Sequence, residues 1–175
     1  MDSFSLTIES WHDFYLMIGT AAATLMGLLF VSLSLNVDII TRQENDDLRI
    51  LARQSFTNFL CIIMFSVIFL IPSQSTLGLG LPLLGIGGFG LYTTIYRYLN
   101  SRKNRPRSWG NRDITVRFIL PVVCYATLLI IAILALMGMT GGLYWLVPVM
   151  ILLIVNTSTN AWDLLLRLRD PSKGI

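Results

Sequence analysis

The sequence contains few charged residues for its length. Asp, Glu, Lys and Arg make up 13% of its 175 residues, whereas an ordinary soluble domain carries about 25%. A water-soluble fold needs that charge on its surface, so the composition excludes a typical soluble protein. Hydrophobic residues make up 54% of the chain, which favours a protein whose solvent is the lipid bilayer.

Residue types that carry chemistry are also scarce. The two cysteines, Cys61 and Cys124, each lie inside an apolar run, and His12 is the single histidine. A zinc site or a disulfide framework needs more of these residues at close spacing, and a nucleophile needs a base within reach. No HExxH, CxxC, GxSxG or P-loop pattern occurs. The sequence therefore predicts a protein that is not an enzyme, holds no metal ion and uses no cofactor.

The N-terminal segment lacks positive charge. MDSFSLTIESWHDF carries Asp2, Glu9 and Asp13 but no Lys or Arg. A secretory signal begins with a positively charged region. We therefore expect the first apolar run to remain in the protein as a membrane span.

Five apolar runs follow one another along the chain. Each is near the ~20 residues that a helix needs to cross a hydrocarbon core of ~30 Å. Helices are expected because lipid offers backbone groups no hydrogen-bond partner. The sequence predicts an all-α, polytopic membrane helix bundle, a single transmembrane domain over residues 1–175. Its spans are placed at residues 14–37, 56–71, 77–99, 114–139 and 143–168.

The positive charges are distributed unevenly between the connections. All 13 Lys and Arg residues fall in residues 38–55, in residues 97–117 or in the tail after Leu166. With five spans these three segments lie on one side of the membrane, and positively charged loops stay in the cytoplasm. The predicted topology has the N-terminus outside and the C-terminus inside. Four or six spans would place the tail and the middle segment on opposite sides.

Polar residues before the second run predict where its helix begins. Thr41 and Glu44 have the spacing of a capping box. Asn45, Asp46 and Asp47 follow, and acidic side chains favour a helix N-terminus. We expect the second helix to begin in the cytoplasm before it enters the bilayer.

Small residues in two spans predict close helix packing. The first span has Gly19, Ala23 and Gly27 at four-residue intervals, a spacing that lets two helix backbones approach closely. This contact lies either within the monomer or between subunits. The third span is rich in glycine and contains Pro82, which favours close packing or a kink. A broken helix that lines a substrate site is the alternative.

The fifth span contains the most informative polar residues. At about 100° per residue, one face of the helix carries Asn156, Asn160, Asp163 and Arg167, and Thr159 lies beside them. These residues lie in the half of the span that is predicted to be cytoplasmic. Polar side chains at that depth face protein or water rather than lipid.

Two interpretations of this polar face remain open. In the structural one, the asparagines and the threonine bond to neighbouring helices, and Asp163 pairs with Arg167 four residues on. In the functional one, the same residues line a cavity open to the cytoplasm, with Asp163 as a cation or proton site. Asn36, Asp38 and Asn58 are predicted to lie at a similar depth or closer to the cytoplasm, where they would complete that cavity.

The basic segment NSRKNRPRSWGNRD is a candidate site for anionic lipid headgroups through Arg102, Lys103, Arg105 and Arg107. Each cation near an anionic leaflet contributes about 1 kcal/mol. The simpler interpretation is that these residues only set the topology. Binding to nucleic acid is not needed to explain them.

The stretch WHDFYLMIGTAAATLMGLLFVSLSLN resembles the opening of a group of small bacterial multi-pass membrane proteins. Some members of that group are labelled as modulators of a membrane protease. The resemblance rests on a GLxFVxxSxN-like segment, here formed by Gly27, Leu28, Phe30, Val31, Ser34 and Asn36. It covers about the first fifth of the chain and implies a bacterial cytoplasmic (inner) membrane. It assigns no catalytic residue.

Two functional hypotheses follow from the sequence. The first is a non-enzymatic integral membrane protein that acts through helix association, either by self-assembly into a homo-oligomer or as a modulatory or accessory protein to a membrane partner. The alternative is a small oligomeric ion channel or transporter with a polar cytoplasmic half-cavity.

Overall fold

The computed structural model describes residues 11–41, 46–72, 75–103, 111–139 and 141–169. Within these ranges the chain forms helices and short turns, with no strand. A short 3₁₀ helix, Gly141–Trp145, precedes the last α-helix. The α-helices are α1 (His12–Leu35), α2 (Val37–Thr41), α3 (Asp46–Leu70), α4 (Thr76–Lys103), α5 (Asn111–Leu136) and α6 (Leu146–Arg169).

Five helical segments are long and apolar enough to cross a membrane, which confirms the all-helical class and the five apolar helices. They are His12–Leu35, Leu48–Leu70, Thr76–Asn100, Phe118–Leu136 and Gly141–Leu168. Several helices extend beyond the predicted spans. The second span is predicted to begin at residue 56, whereas α3 begins at Asp46, within the acidic run. A span boundary drawn from hydropathy stops where the residues become polar, but the helical backbone continues into them. The capping-box residue Glu44 lies outside the described residues.

Helix α3 lies at the centre of the bundle and packs against α1, α4 and α6. Helix α5 packs against α4 and α6, so α3, α4, α5 and α6 form a four-helix ring. Helix α1 lies outside this ring and packs mainly on α3. The stacked rings of Tyr15 and Phe69, whose centroids are 4.1 Å apart, mark this contact.

The two ends of the bundle differ in charge. We call one end the basic end, because it carries Arg49 and Arg53 at the start of α3, Arg97 near the end of α4 and Arg167 near the end of α6. We call the opposite end the far end. There the ring of Trp11, at the start of α1, lies 5.6 Å from that of Tyr144 in the 3₁₀ helix.

Local hydrogen bonds define the helix ends beside the two uncharged turns at the far end. The Ser75 hydroxyl accepts a hydrogen bond from the Gly78 amide at 3.0 Å, a side-chain cap for the start of α4. Helix α5 ends at Leu136, and Gly138 follows it with a φ of +78°, which glycine readily adopts. The amides of Gly138 and Met139 donate back to the carbonyls of Ala135 and Leu134, both at 3.0 Å. This is the Schellman pattern of a helix C-terminus.

The outside of the bundle is strongly apolar. Large hydrophobic side chains are exposed along every long helix, including Phe30 on α1, Val67 on α3, Phe89 on α4, Ile130 on α5 and Val155 on α6. A water-soluble monomer rarely exposes apolar patches of more than a few hundred Å². The surface therefore suits a hydrocarbon solvent, in agreement with the composition.

Candidate functional site: a buried polar layer near the basic end

A group of buried polar side chains interrupts the apolar core between the middle of the bundle and the basic end. We call it the polar layer. An unbonded polar group in an apolar interior costs free energy, so a concentration of them requires an explanation. The layer consists of Gln54, Ser55 and Asn58 on α3, Thr94 on α4, and Asn156, Thr157 and Asn160 on α6.

A hydrogen bond between buried side chains joins α5 to α3, which lie opposite one another in the four-helix ring. The Tyr125 hydroxyl on α5 donates to Asn58 Oδ1 on α3 at 3.1 Å. Both side chains are enclosed, with exposed fractions of 0% for Tyr125 and 1% for Asn58. Asn58, Gln54 and Cys61 lie on one stripe of α3, at spacings of three to four residues, and all three are buried. The bond thus fixes the rotation of α3 relative to α5 at the level of the polar layer.

A glycine on α4 makes room for the tyrosine ring. A Cβ atom on Gly90 would overlap the ring of Tyr125, so a larger residue would push the ring away from Asn58. Gly87, one turn earlier, lies against Leu129 of α5. Small residues on a helix face let two backbones approach closely in lipid. The glycine-rich segment therefore serves the contact between α4 and α5, as the close-packing interpretation of the sequence proposed.

Arg97 extends the same face of α4 to the basic end, and three hydrogen bonds hold its half-buried guanidinium. Its Nη1 donates to Gln54 Oε1 at 2.9 Å and to the Arg53 carbonyl at 3.1 Å. Its Nη2 donates to the Thr57 hydroxyl at 2.9 Å. All three acceptors are neutral oxygens on α3. The arginine thus joins α4 to α3 without an acidic partner in the described part of the chain.

Several buried polar atoms of the layer have no hydrogen-bond partner among the described residues. They include three amide nitrogens, which are donors, and two hydroxyls. At 1.5 Å per residue, Asn58, Tyr125 and Asn156 lie at a similar level, roughly 15–18 Å from the far ends of their helices. The unpartnered atoms are Gln54 Nε2, Ser55 Oγ, Asn58 Nδ2, Thr94 Oγ1 and Asn156 Nδ2. Each of these atoms can form a hydrogen bond with a water molecule.

The structure brings part of the predicted polar face of α6 into this layer. Asn156 and Asn160 are buried, while Asp163 and Arg167 are half-buried nearer the basic end. Thr159 is exposed, and its hydroxyl donates to the carbonyls of Val155 and Asn156, both at 2.9 Å. The face thus divides into two buried asparagines, two half-buried charged residues and an outward-facing threonine.

The three residues outside α6 that were predicted to complete the cavity lie in different surroundings. The Asn36 side chain donates to the Ser32 carbonyl at 2.9 Å and lies at the break between α1 and α2. Asp38, in the first turn of α2, is exposed. Asn58, in contrast, is buried in the polar layer and accepts the hydrogen bond from Tyr125. Of these three residues, the one on α3 is therefore the one that the structure places with the α6 asparagines.

The small residues of α1 do not share one environment. A Cβ atom on Gly19 would come within 2.7 Å of Ser66 Cβ, so Gly19 packs against α3. Ala23 is exposed, and nothing lies within 4 Å of a Cβ atom on Gly27. A four-residue step exceeds one helical turn by about 40°, so the row rotates by about 80° from Gly19 to Gly27. The row therefore begins inside the monomer and ends on its outer surface.

The predicted headgroup-binding residues fall at the edge of what the structure describes. Arg102 and Lys103 belong to the last turn of α4, but their side chains are not described. Arg105 and Arg107 lie outside the described residues.

Sequence reasoning did not identify Tyr125, Gln54 or Arg97 as members of the site. A signal for two of them was present. Gln54 precedes Asn58 by four residues and therefore shares its face, and Arg97 follows Thr94 and Gly90 at helical spacing. Tyr125 gives no such signal, because a single tyrosine in an apolar helix has many ordinary roles.

The described residues contain no group of three or more His, Cys, Asp and Glu side chains that could hold a metal ion. His12 Nδ1 and Asp13 Oδ1 are 3.3 Å apart at the exposed far end. In comparisons with protein-family models, with curated proteins and with solved structures, nothing matches the chain.

Proposed function

We propose that this chain is a non-enzymatic integral membrane protein whose five long helices cross the bilayer, with the basic end in the cytoplasm and the N-terminus outside. Two features support this proposal. The bundle is apolar on its outside, and the 13 cations of the sequence fall in segments that five spans place on one side. The resemblance of the first span favours a bacterial cytoplasmic membrane.

We further propose that the protein acts by helix association, through the outer face of α1 packing against a second copy of itself. The observation that carries this proposal is the open row of small residues on that face. Thr20, Ala23, Thr24 and Gly27 are all exposed. Both threonine hydroxyls donate to backbone carbonyls one turn earlier, at 2.8 and 2.9 Å, so they add no unbonded donor to the surface.

A small-residue row is suited to contact between identical helices. It lets two backbones approach closely, and dispersion and Cα–H contacts then stabilise the pair in lipid. A two-fold axis places the same row on both partners, so that a single surface is complementary to itself. Since α1 packs mainly on α3, its opposite side is accessible to such a partner.

The experiment replaces Gly27 by leucine and compares it with Gly85→Leu. Both glycines have nothing within 4 Å of an added Cβ atom, but Gly85 lies on α4. The oligomeric mass is measured by light scattering in detergent and by subunit counting in liposomes. We expect Gly27→Leu to lower the oligomeric mass while the helical content and melting temperature stay at the parent's values. Gly85→Leu should leave the mass unchanged.

A parent protein that is monomeric in liposomes would overturn self-association, as would a Gly27→Leu variant that retains the oligomeric mass of the parent. If the monomer instead co-purifies with a membrane protease and Gly27→Leu abolishes that association, α1 serves the modulatory role that the resemblance implies. Self-assembly would then be replaced by attachment to a partner.

A second function, as a channel or transporter, is favoured by a different observation, the unpartnered polar atoms of the polar layer. We expect a pathway of this kind to conduct in planar bilayers and to be weakened by Asn156→Leu. Thr159→Val is the matched control, because that side chain lies on the same helix and faces outward. Absence of conductance and of solute flux from the oligomeric parent would rule out this function.

A further inference from the structure

Two arginines where α3 meets α4 carry an excess of positive charge. Arg97 bonds only to neutral oxygens, and one of them is the backbone carbonyl of Arg53, so the two arginines are direct neighbours. Neither arginine forms an ion pair with the residues that the structure describes. Like charges that meet beside an apolar interior are unfavourable unless an anion joins them. The pair is therefore suited to a negatively charged ligand.

The hydrogen bonds of Arg97 leave one edge of its guanidinium for such a ligand. A guanidinium has five N–H donors in a planar fork. Two donors of Nη1 and one of Nη2 are used within the protein. The Nε donor and the second Nη2 donor have no acceptor in the described part of the chain, and the side chain is only half-buried. Two such donors on one edge bind a phosphate or a carboxylate in a bidentate manner.

The position of Arg97 along α4 favours the phosphate group of a membrane lipid over a soluble anion as the ligand. From Thr76 to Arg97 the helix rises about 32 Å at 1.5 Å per residue, which is close to the ~30 Å thickness of the hydrocarbon core. The guanidinium thus lies at the level where lipid phosphates are found. A soluble anion would meet the same donors, but it would gain nothing from the apolar surface beside them.

That apolar surface is a stripe on α3 that begins next to Arg53. Phe56, Leu60, Met64 and Val67 follow Arg53 at helical spacing and are all exposed. A lipid whose phosphate contacts the two arginines can place an acyl chain along this stripe toward the far end. Charge at one end and a continuous apolar stripe below it match the two parts of a phospholipid.

We propose that Arg97, held by Gln54 and Thr57 and assisted by Arg53, binds the phosphate group of an anionic membrane lipid where α3 meets α4. Gln54 and Thr57 orient the guanidinium, Arg97 donates two hydrogen bonds, and Arg53 supplies a second positive charge.

The test measures lipid binding to the full-length protein in a neutral detergent by native mass spectrometry. The probes are phosphatidylglycerol and diacylglycerol with the same acyl chains, so that only the phosphoglycerol headgroup differs. We expect the parent to retain phosphatidylglycerol and not diacylglycerol. Arg97→Gln should weaken this binding by about tenfold or more, and Arg97→Lys by several-fold, because lysine keeps the charge but lacks the planar fork.

Arg49→Gln is the matched control, because it removes one positive charge from α3 without touching the bonds of Arg97. It should change the affinity by less than about twofold, as expected for an exposed charge. If Arg97→Gln does not fold, Thr57→Val removes one of the bonds that orient the guanidinium and should weaken binding several-fold. Equal losses from Arg49→Gln and Arg97→Gln, together with full binding by Arg97→Lys, would show general charge attraction and overturn the site.

Inorganic phosphate distinguishes the two sources of the ligand. We expect millimolar phosphate to leave phosphatidylglycerol bound, because free phosphate lacks the acyl chains that contact the α3 stripe. If phosphate alone binds with equal affinity and displaces the lipid, the lipid assignment is wrong.

Discussion

At the scale of single residues, the polar layer depends on which polar atoms find a partner inside an apolar bundle. Tyr125 and Asn58 form a hydrogen bond that joins α5 to α3, and both side chains are enclosed. In an apolar interior a lost partner costs more than the bond itself contributes, because the remaining atom has no water to replace it. Loss of this bond should therefore lower the stability of the bundle.

Tyr125→Phe should destabilise the protein by about 1–2 kcal/mol, since interhelical bonds in lipid contribute up to about 1.7 kcal/mol and Asn58 Oδ1 loses this donor. Thermal unfolding in detergent, monitored by helical content, measures the effect. Tyr92→Phe is the control, because Tyr92 is 68% exposed. Equal stability of the two variants would show that the bond does not hold the helices together.

Sequence reasoning identified only part of this site. Asn156 and Asn160 could be predicted as a pair, because two polar residues four apart in an apolar helix share a face. The bond from Tyr125 to Asn58 could not, because it depends on the rotation and spacing of two helices that are not neighbours in sequence. The same holds for Arg97, whose charge suggested a loop cation and whose partners lie 40 to 44 residues away on α3.

At the scale of elements, the contact between α4 and α5 shows how glycine positions set helix spacing. Gly80, Gly87 and Gly90 lie on one face of α4, where an added Cβ atom would meet Leu136, Leu129 and Tyr125 respectively. The sequence predicted close packing from the glycine content. It did not indicate which glycines make the contact, since Gly85 and Gly88 face open space.

Gly90→Ala should destabilise the protein by about 1–3 kcal/mol, because the added methyl group forces the Tyr125 ring to shift in a packed core. Gly85→Ala is the matched control on the same helix, and it should be neutral or stabilising by up to about 1 kcal/mol through helix propensity. Chemical denaturation in mixed micelles measures both. A Gly90→Ala variant as stable as Gly85→Ala would mean that α4 and α5 are not in close contact at this level.

The row of small residues on α1 shows that four-residue spacing alone does not place all its members against the same neighbour. Residues four apart are close neighbours on a helix, but each step rotates the row, so Gly19 and Gly27 face different surroundings. The structure is thus compatible with packing of the row within the monomer and with packing between subunits. Gly19 packs within the monomer, whereas Ala23 and Gly27 remain available to a partner.

At the scale of the whole molecule, two sequence properties determine the architecture. The low charge and the long apolar runs predicted five helices for a lipid environment, and the described residues contain five helices of that length and hydropathy. The helix ends were harder to predict, because hydropathy marks the hydrocarbon and not the end of the hydrogen-bonded backbone. The positions of the cations then give the proposed orientation.

The most direct measurement of that orientation is labelling of single added cysteines in intact bacterial cells with a membrane-impermeant maleimide. Ser75→Cys lies at the far end and Asn100→Cys at the basic end, and both positions are exposed. The native Cys61 and Cys124 are buried, so the parent protein should remain unlabelled. With five spans and the basic end in the cytoplasm, Ser75→Cys is labelled directly and Asn100→Cys only after the cells are permeabilised. Labelling of Asn100→Cys from outside the intact cell would contradict the proposed topology.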